Sequence, residues 1–253
     1  MSNRSPLKDK PLRNPGQSLD EEFDRLVNEQ AAPYILAPIF FWVIAGVEWM
    51  GEWRSMPRIP GILAGLALIA SGFSYWRLRQ IRKQVQHIKL GRDGERVVGQ
   101  FLEGLRVNGA RIFHDIVADG FNLDHVVISE RGVFLIETKT WSKRGPDSRI
   151  RVESGRLYKE GFLIEPNPIT QAIAEADWLK QLLTESTGKP IPVWPVAVFP
   201  GWFIEPMDSA SKALAWVLEP KALPAWIEQE PVRLPPEDVT LAAFHLSRYV
   251  RTA

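Results

Sequence analysis

The stretch that decides the fold is residues 123–140, LDHVVISERGVFLIETKT, which contains two β-type segments around Glu130-Arg131-Gly132. Leu123–Ser129 and Val133–Thr140 are rich in Val, Ile and Phe, residues that fit the pleated surface of a sheet. A short polar break with glycine between two such segments is typical of a tight turn that joins antiparallel strands. The sequence therefore predicts a β-hairpin over residues 123–140.

The register of this hairpin determines which side chains share a face. If Arg131-Gly132 is the two-residue turn, the opposed pairs are Ile128 with Leu135, Val126 with Glu137, and Asp124 with Lys139. Because side chains alternate between the two faces of a strand, all six lie on one face. The hairpin therefore brings Asp124, Glu137 and Lys139 together at its open end, above an apolar floor.

Two carboxylates and a lysine at one end of a hairpin have two interpretations. Asp124 and Lys139 can form a cross-strand ion pair with no further role. Alternatively, the carboxylates share a hard divalent cation such as Mg²⁺, which takes oxygen ligands, and the lysine holds an attacking water or stabilises charge on a phosphate. Val133–Ile136 is fully apolar, so the charges after it lie at the end of a buried strand, which favours the second interpretation.

Helical and strand patterns alternate on both sides of the hairpin. Asp93–Leu105 has the apolar spacing of a helix, with Glu95 at the edge of its buried face, and Asn167-Pro168 opens a helix to about Glu185. Further strands are predicted at Arg111–Asp115, Arg149–Glu153, Arg156–Tyr158, Pro192–Phe199 and Ala213–Leu218, and further helices at Pro220–Glu228 and Pro236–Arg251. This order of elements predicts an α/β or α+β domain.

The N-terminal part of the chain has a different composition. Residues 1–30 are polar and predict a mobile tail with a short helix over Asp20–Gln30, whereas Ala31–Val47 and Ile59–Trp76 carry no charge. Each uncharged run spans roughly 26 Å as a helix, close to the thickness of a bilayer core. Residues 31–76 therefore predict a transmembrane helical hairpin with its connector at Gly51–Arg58. A buried hairpin in a soluble core is the alternative.

Charges that flank the two runs predict the orientation of this hairpin. Five basic residues follow the second run, whereas the connector has only Arg54 and Arg58. The five are Arg77, Arg79, Arg82, Lys83 and Lys89. The positive-inside bias then places a basic juxtamembrane helix, residues 77–90, and the domain that follows it in the cytoplasm, together with the tail. We expect a protein that crosses the inner (cytoplasmic) membrane twice.

Composition excludes several kinds of site. The chain has no cysteine, so disulfides, thiolate metal sites and cysteine nucleophiles are excluded. Its four histidines, His87, His114, His125 and His245, lack the i, i+4 pairing of a helical zinc site. Residues 91–253 hold 19 Lys/Arg and 22 Asp/Glu, so this part lacks the strong basic footprint of many nucleic-acid-binding domains.

Several motifs closely resemble those of a known family. They are Gly91–Glu95, Asn122–Val127 and Gly132–Lys139, followed by Asn167-Pro168-Ile169-Thr170-Gln171, which resembles a later N-P-x-x-Q element. Together they resemble the nuclease-related domain (NERD), which is placed in the PD-(D/E)xK nuclease superfamily. The resemblance begins near Gly91 and fades after about Phe199.

This resemblance implies a fold and a site. The implied fold for residues 91–253 is an α/β, restriction-endonuclease-like mixed sheet flanked by helices, here preceded by two transmembrane helices. In the implied site Asp124 and Glu137 bind Mg²⁺ or Mn²⁺, Glu95 adds a carboxylate, and Lys139 is the catalytic lysine. Gln171 would reach the site from the later helix, or else be a solvated polar residue.

The resemblance also implies partners, namely nucleic acid, with DNA favoured over RNA, beside the lipid bilayer. The basic residues Lys143, Arg144, Arg149 and Arg151 would contact a nucleic-acid backbone, or else form a solvated loop. Trp141 would stack on a base or, as we favour, pack in the core, and His125 would point to the opposite face with a structural role. The alternatives to a nuclease are a catalytically silent binding or regulatory module and a protein whose membrane hairpin is the functional part. The sequence does not indicate an oligomeric state.

Overall fold

A computed structural model describes residues 11–50, 60–146 and 148–252. The chain divides into two compact units. One comprises Ser18–Lys89, and the other joins the residues up to Gln17 to those from Leu90 onward.

The Ser18–Lys89 unit is helical. It contains most of α1 (Gln17–Arg25), a π-helical turn (Leu26–Ala31), α2 (Ala32–Met50) and the first part of α3 (Pro60–Glu103). Trp42 Nε1 donates a hydrogen bond to Ser71 Oγ at 3.2 Å, and Arg77 Nε donates to Tyr34 Oη at 3.3 Å. Of these two contacts, the one that lies earlier in α2 lies later in α3, as in an antiparallel helical hairpin.

Two helices are long and apolar enough to cross a membrane, as the sequence predicts. They span Gln17–Met50 and Gly61–Asn108, and only 11% of each apolar window is buried. Side chains such as Phe40 and Ile69, which are 61% and 70% exposed, face outward. This exposure disagrees with the alternative of a buried hairpin in a soluble core. The predicted connector, Gly51–Arg58, lies outside the described residues.

The larger unit has the remaining elements in the following order. Its strands are β1 (Arg111–Val117), β2 (Asn122–Ser129), β3 (Gly132–Thr138), β4 (Arg149–Glu153), β5 (Arg156–Lys159), β6 (Phe162–Leu163), β7 (Val193–Val198), β8 (Phe203–Ile204) and β9 (Trp216–Leu218). Its helices are the end of α3, α4 (Pro168–Thr187), α5 (Ser209–Leu214), α6 (Leu223–Gln229) and α7 (Pro236–Thr252).

The main sheet is mixed and is covered on both faces, as expected. Its order is β1-β2-β3-β7-β9, antiparallel through β3 and parallel from β3 to β9. Helices α4 and α7 pack on one face through Ala172, Leu179 and Leu246. The end of α3 packs with α6 on the other face, through Val98 and Ile227 among others. Burial of both faces explains why β3 has no polar residue before Glu137.

The register between β2 and β3 differs from the predicted one by two residues. Val126 pairs with Leu135 and Ser129 pairs with Gly132, so the turn is Glu130-Arg131 and not Arg131-Gly132. The Trp194 ring packs directly against Gly132. A Cβ on this residue would lie 2.8 Å from the ring, so only glycine fits here without a shift. A shift of two preserves the alternation of faces, so the predicted convergence survives, with the polar ends of the strands still on one face.

A second sheet, here called the small sheet, has the order β6-β5-β4-β8. Its strands β4, β5 and β6 lie between β3 and α4 in the chain, whereas β8 follows β7. Its inner side is apolar and packs on Phe199, Trp202 and Ile169, with Ile150, Val152 and Leu157 contributed by its own strands. The small sheet therefore has one covered face and one open face.

Some element boundaries depart from the sequence-based expectation. Residues predicted as one strand, Ala213–Leu218, are divided, because Asp208 caps α5 and that helix continues to Leu214. The segment expected to be a polar tail is structured over residues 11–31: residues 11–17 belong to the larger unit, and helical structure begins at Gln17. Residues 1–10 lie outside the described residues.

Candidate active site

Three carboxylates form a row across β1, β2 and β3. The β1–β2 register pairs His114 with His125 and Ile116 with Leu123, which places Asp115 opposite Asp124. The β2–β3 register pairs His125 with Ile136, which places Asp124 opposite Glu137. Asp115 and Glu137 are buried and Asp124 is half-buried. The row therefore concentrates negative charge at one end of the main sheet.

Lys139 is the cation nearest to Glu137. Its Nζ lies 2.6 Å from Glu137 Oε1, and the two side chains share a face because they are two residues apart. Burial alone lowers the pKa of Lys139, but the carboxylate of Glu137 outweighs it, so the pKa is raised. Lys139 is therefore held in its charged form at the edge of the row, with 28% of its side chain exposed.

Asp124 is held in place by the backbone of the neighbouring strand. Its Oδ2 accepts a hydrogen bond of 2.7 Å from the Thr138 N–H. Burial raises the pKa of Asp124 well above its usual value, and the nearby charges of Glu137 and Glu95 add to that effect. The structure therefore brings Glu95, Asp124, Glu137 and Lys139 into one electrostatic cluster.

Glu95 enters this cluster from α3 and is 8% exposed. Burial raises its pKa to about 8, and the charges of Asp115 and Glu137 contribute, while a hydrogen bond from the Gly16 backbone opposes the rise. Its neighbour Gly94 explains how the helix comes so close. A Cβ at Gly94 would lie 1.6 Å from Thr140 Oγ1.

Glu175 is a member of the site that sequence reasoning missed. It is 5% exposed on α4, accepts a hydrogen bond of 2.8 Å from Gln171 Nε2, and interacts with Glu137. Burial, together with the charge of Glu137, raises its pKa to about 8. A signal was present, since Glu175 lies among Ala172, Ala176 and other residues of the apolar stripe of α4.

Gln171 was predicted to reach the site from the later helix. It is exposed, and its side-chain amide contacts Glu175, which in turn interacts with Glu137. Gln171 therefore joins the cluster through Glu175. Asn167, four residues earlier, caps the helix by accepting a hydrogen bond from the Ile169 N–H at 3.1 Å.

The N-terminal segment supplies a second cation. Arg13 Nε lies 2.8 Å from Asp115 Oδ2, and Asp115 is 2% exposed. Neither residue was predicted to belong to the site. No local pattern could have linked them, because they are 102 residues apart in the chain.

His125 points away from the cluster, as expected. Its Nδ1 lies 2.9 Å from Nδ1 of His114, whose Nε2 lies 2.9 Å from Glu103 Oε1. If His114 donates to the Glu103 carboxylate, its Nδ1 must accept the proton of His125 Nδ1. Burial lowers the pKa of both histidines, so both are neutral, which fits a structural role.

The donor set suits a hard divalent cation, although the cluster has open geometry. Within residues 11–50, 60–146 and 148–252, no three Asp, Glu or His side chains are arranged to hold a metal ion by themselves. Glu137 and Glu175 interact with each other, and among the same residues no donor from another side chain or from the backbone reaches Glu137 Oε2 or Glu175 Oε2. Mg²⁺ commonly binds through one or two carboxylates and completes its shell with waters and substrate phosphates. The oxygen atoms present fit that mode.

Comparison with known families assigns this part of the chain. Its match is to the model of the nuclease-related domain, over residues 90–200. Residues 90–200 therefore resemble a NERD domain, as the sequence motifs predict. The matched region contains the five predicted site residues together with Asp115 and Glu175, whereas Arg13 lies before it. Neither the search of curated proteins nor that of solved structures found a match.

Proposed function

We propose that this protein is a membrane-anchored, metal-dependent phosphodiesterase whose NERD domain hydrolyses nucleic acid, DNA rather than RNA. The observation that carries the proposal is the row of Asp115, Asp124 and Glu137 with Lys139 held 2.6 Å from Glu137. Buried carboxylates are costly unless cations or protons compensate for them. A divalent cation compensates for several of them at once and prepares the site for a phosphate.

Each residue of the cluster has a separate task in this proposal. Asp124 and Glu137 would hold Mg²⁺ or Mn²⁺, and Glu95 would add a carboxylate from α3. The ion, when bound, lowers the pKa of water and polarises the phosphate. Lys139 would orient the attacking water or stabilise the charge that develops on the phosphate. Glu175 would position Glu137, and Gln171 would position Glu175.

The location of the domain is part of the proposal. The apolar helices α2 and α3 support anchoring in the lipid bilayer through two spans. Five basic residues between positions 77 and 89 support a cytoplasmic position for the NERD domain in the inner membrane. In this arrangement the short basic run faces anionic lipid headgroups and leaves nucleic-acid contacts to other residues.

A cleavage assay tests the proposed activity. The full chain in detergent should cleave labelled DNA, and more slowly RNA, with Mg²⁺ or Mn²⁺ but not with EDTA. Lys139→Ala and Asp124→Asn should each lower the rate by about 10²–10⁴-fold, because the first removes charge stabilisation at the reacting phosphate and the second removes a proposed ligand of the metal. Wild-type rates in both variants would refute the roles assigned to these residues.

A catalytically silent binding or regulatory module is the second candidate. The contact that favours it is the ion pair between Lys139 and Glu137, in which each side chain already has a partner of opposite charge. The acidic balance of residues 91–253 also favours it. This candidate predicts oligonucleotide binding without cleavage under every metal condition, so the same assay with a binding readout separates the two.

A further inference from the structure

The open face of the small sheet carries aromatic and basic side chains together. Its register places Arg151 beside Tyr158, Tyr158 beside Leu163, and Arg149 beside Phe203. Because their neighbours Ile150 and Leu157 point into the core, these side chains point away from it. We call Arg149, Arg151, Tyr158, Leu163 and Phe203 the aromatic-basic face.

The aromatic-basic face is exposed to solvent. Phe203 is 61% exposed and Leu163 is 45% exposed. The side chains of Arg149 and Arg151 are 56% and 52% exposed. Arg151 already lies beside an aromatic ring, with its guanidinium carbon 5.3 Å from the centre of Tyr158. A planar cation next to a ring forms a platform on which a flat ligand can stack.

Basic charge in the domain is concentrated around this sheet. Residues 141–163 hold six Lys/Arg and three Asp/Glu, whereas the rest of residues 91–253 hold 13 and 19. Two carboxylates partly neutralise the face: Glu205 lies 3.7 Å from Arg149, and Glu153 lies 3.4 Å from Arg151. These are exposed ion pairs, which are weak, so phosphate groups can compete for the arginines.

A groove lies beside the aromatic-basic face and shares residues with it. It has a volume of about 620 Å³ and is lined by Arg144, Pro146, Arg149, Arg151 and Tyr158, with Glu160 and Glu205 at its sides. Three arginines around an open groove suit a chain of phosphates better than one compact anion.

The position of the small sheet connects it to the carboxylate cluster. Its strands β4, β5 and β6 are inserted between β3, after which Lys139 follows, and α4, which carries Glu175. Trp141, two residues after Lys139, packs against Phe199 with ring centres 5.0 Å apart, in the core beneath this sheet. Asn167, the cap of α4, donates a hydrogen bond of 2.8 Å to the Gly155 carbonyl in the β4–β5 turn. The β4–β6 insertion therefore begins just after Lys139 and ends at α4, the helix that carries Glu175.

We propose that the aromatic-basic face binds single-stranded nucleic acid, with unpaired bases stacked on Tyr158 and Phe203 and phosphates at Arg149 and Arg151. Stacking requires a free base face, which a duplex does not offer along its length. The binding stands independently, whereas its consequence, delivery of a single strand to the carboxylate cluster, rests on the proposed nuclease function.

A binding measurement without metal tests this inference. The full chain is placed in nanodiscs of phosphatidylcholine with EDTA. Its binding to labelled oligo(dT), oligo(U) and a blunt duplex is followed by fluorescence anisotropy. Each strand is about 12 nucleotides long, enough to cover one site. Both single strands should bind more tightly than the duplex, and the tighter of the two identifies the preferred sugar. Phe203→Ala should weaken single-strand binding about tenfold through the lost stack.

Two further variants sharpen the test. Phe244→Ala is the matched control, because Phe244 is also 61% exposed but lies on α7, so it should bind as the wild type does. Arg151→Gln should lower the slope of log affinity against log salt by about 0.7, the value for one phosphate contact to a single strand. Circular dichroism checks that each variant is folded.

Several results would overturn the inference. They are duplex binding at least as tight as single-strand binding, equal effects of Phe203→Ala and Phe244→Ala, and no oligonucleotide binding. In the last case, co-sedimentation with phosphatidylglycerol vesicles shows whether the face contacts anionic lipid instead. Wild-type cleavage by Phe203→Ala would reject substrate delivery and keep the nuclease. Single-strand binding by a chain that cleaves nothing would reject the nuclease and keep the binding of single strands by the aromatic-basic face.

Discussion

At the scale of single residues, the site brings five acidic side chains together. Glu95, Asp115, Asp124, Glu137 and Glu175 lie in one cluster. Lys139 pairs with Glu137, and Arg13 pairs with Asp115. Burial and mutual repulsion raise the pKa of both Glu95 and Glu175 to about 8. Protonation or a bound divalent cation would reduce this repulsion.

Glu175 gives a prediction at this scale. Glu175→Ala should weaken Mg²⁺ binding and slow cleavage by about 10–100-fold, because partners of metal ligands fix the orientation of those ligands. Glu175→Gln should recover much of the loss, since the amide keeps the shape of the acid and can still donate to Glu137. The measurement is the cleavage rate as a function of Mg²⁺ concentration.

The same helix offers a matched control for Glu175. Gln181 Nε2 donates to Glu185 Oε1 at 2.8 Å, the same contact at the same spacing as between Gln171 and Glu175, but on the exposed side. Glu185→Ala should therefore leave both the rate and the metal dependence unchanged. An equal loss in Glu185→Ala and Glu175→Ala would contradict a positioning role.

Sequence reasoning reached part of this cluster and not the rest. Asp124, Glu137 and Lys139 could be found because strand alternation and an apolar neighbourhood place them together. Glu175 had only a weak signal, an acid within an apolar helical stripe. The contact between Arg13 and Asp115 joins distant parts of the chain, and no periodicity describes such a contact.

At the scale of secondary-structure elements, the approach of α3 to the end of β3 shapes the site. Gly94 lies directly against Thr140, where a Cβ would come within 2.8 Å of the threonine Cβ as well as 1.6 Å of its hydroxyl oxygen. A helix with any larger residue there must move away. Because Glu95 is the next residue, its distance from the carboxylate row depends on this glycine.

Gly94→Ala therefore tests the packing of α3. The added methyl should destabilise the domain by about 1–3 kcal/mol, as overpacking of a tight interior does. It should also weaken Mg²⁺ binding by moving Glu95. Thermal unfolding and a metal titration measure the two effects. Gly104→Ala is the control, because a Cβ added at Gly104 would have no atom within 4 Å; equal behaviour of the two variants would contradict this account.

The hairpin register shows why elements are easier to predict than their exact pairing. Residue type predicted both strands and the shared face, but not which two residues form the turn. The position of the turn depends on Gly132, which packs against the Trp194 ring. Trp194 belongs to β7, about 60 residues later in the chain. A register shift of two residues leaves each side chain on the same face of the sheet, so the predicted site residues still lie together.

At the scale of the whole molecule, the larger unit uses residues from both sides of the apolar helices. Residues 11–17 belong with the domain that begins at Leu90. Gly16 has a positive φ of 71°, which brings its backbone against Arg92 and its N–H to Glu95. The functional unit is therefore larger than the 90–200 region of the family match, and a fragment that starts at residue 77 lacks part of it.

Arg13→Met tests this larger unit. Removing the charged donor from Asp115, a carboxylate that is 2% exposed, should cost about 1–3 kcal/mol of unfolding free energy. Thermal unfolding of the full chain in detergent measures it. Arg151→Met is the control, because its ion pair with Glu153 is exposed and should be worth less than about 1 kcal/mol. Equal stabilities of Arg13→Met and the wild type would contradict the contact.

The most direct test of the proposed site is a calorimetric titration of the full chain with Mn²⁺ or Mg²⁺. The account predicts saturable binding at millimolar concentrations or below, lost in Asp124→Asn and retained in Glu185→Ala. Binding should also raise the unfolding temperature by about 3–6 °C when the free ion is ten times its Kd. No binding at millimolar concentrations, or equal binding by wild type and Asp124→Asn, would contradict a metal site at this carboxylate row.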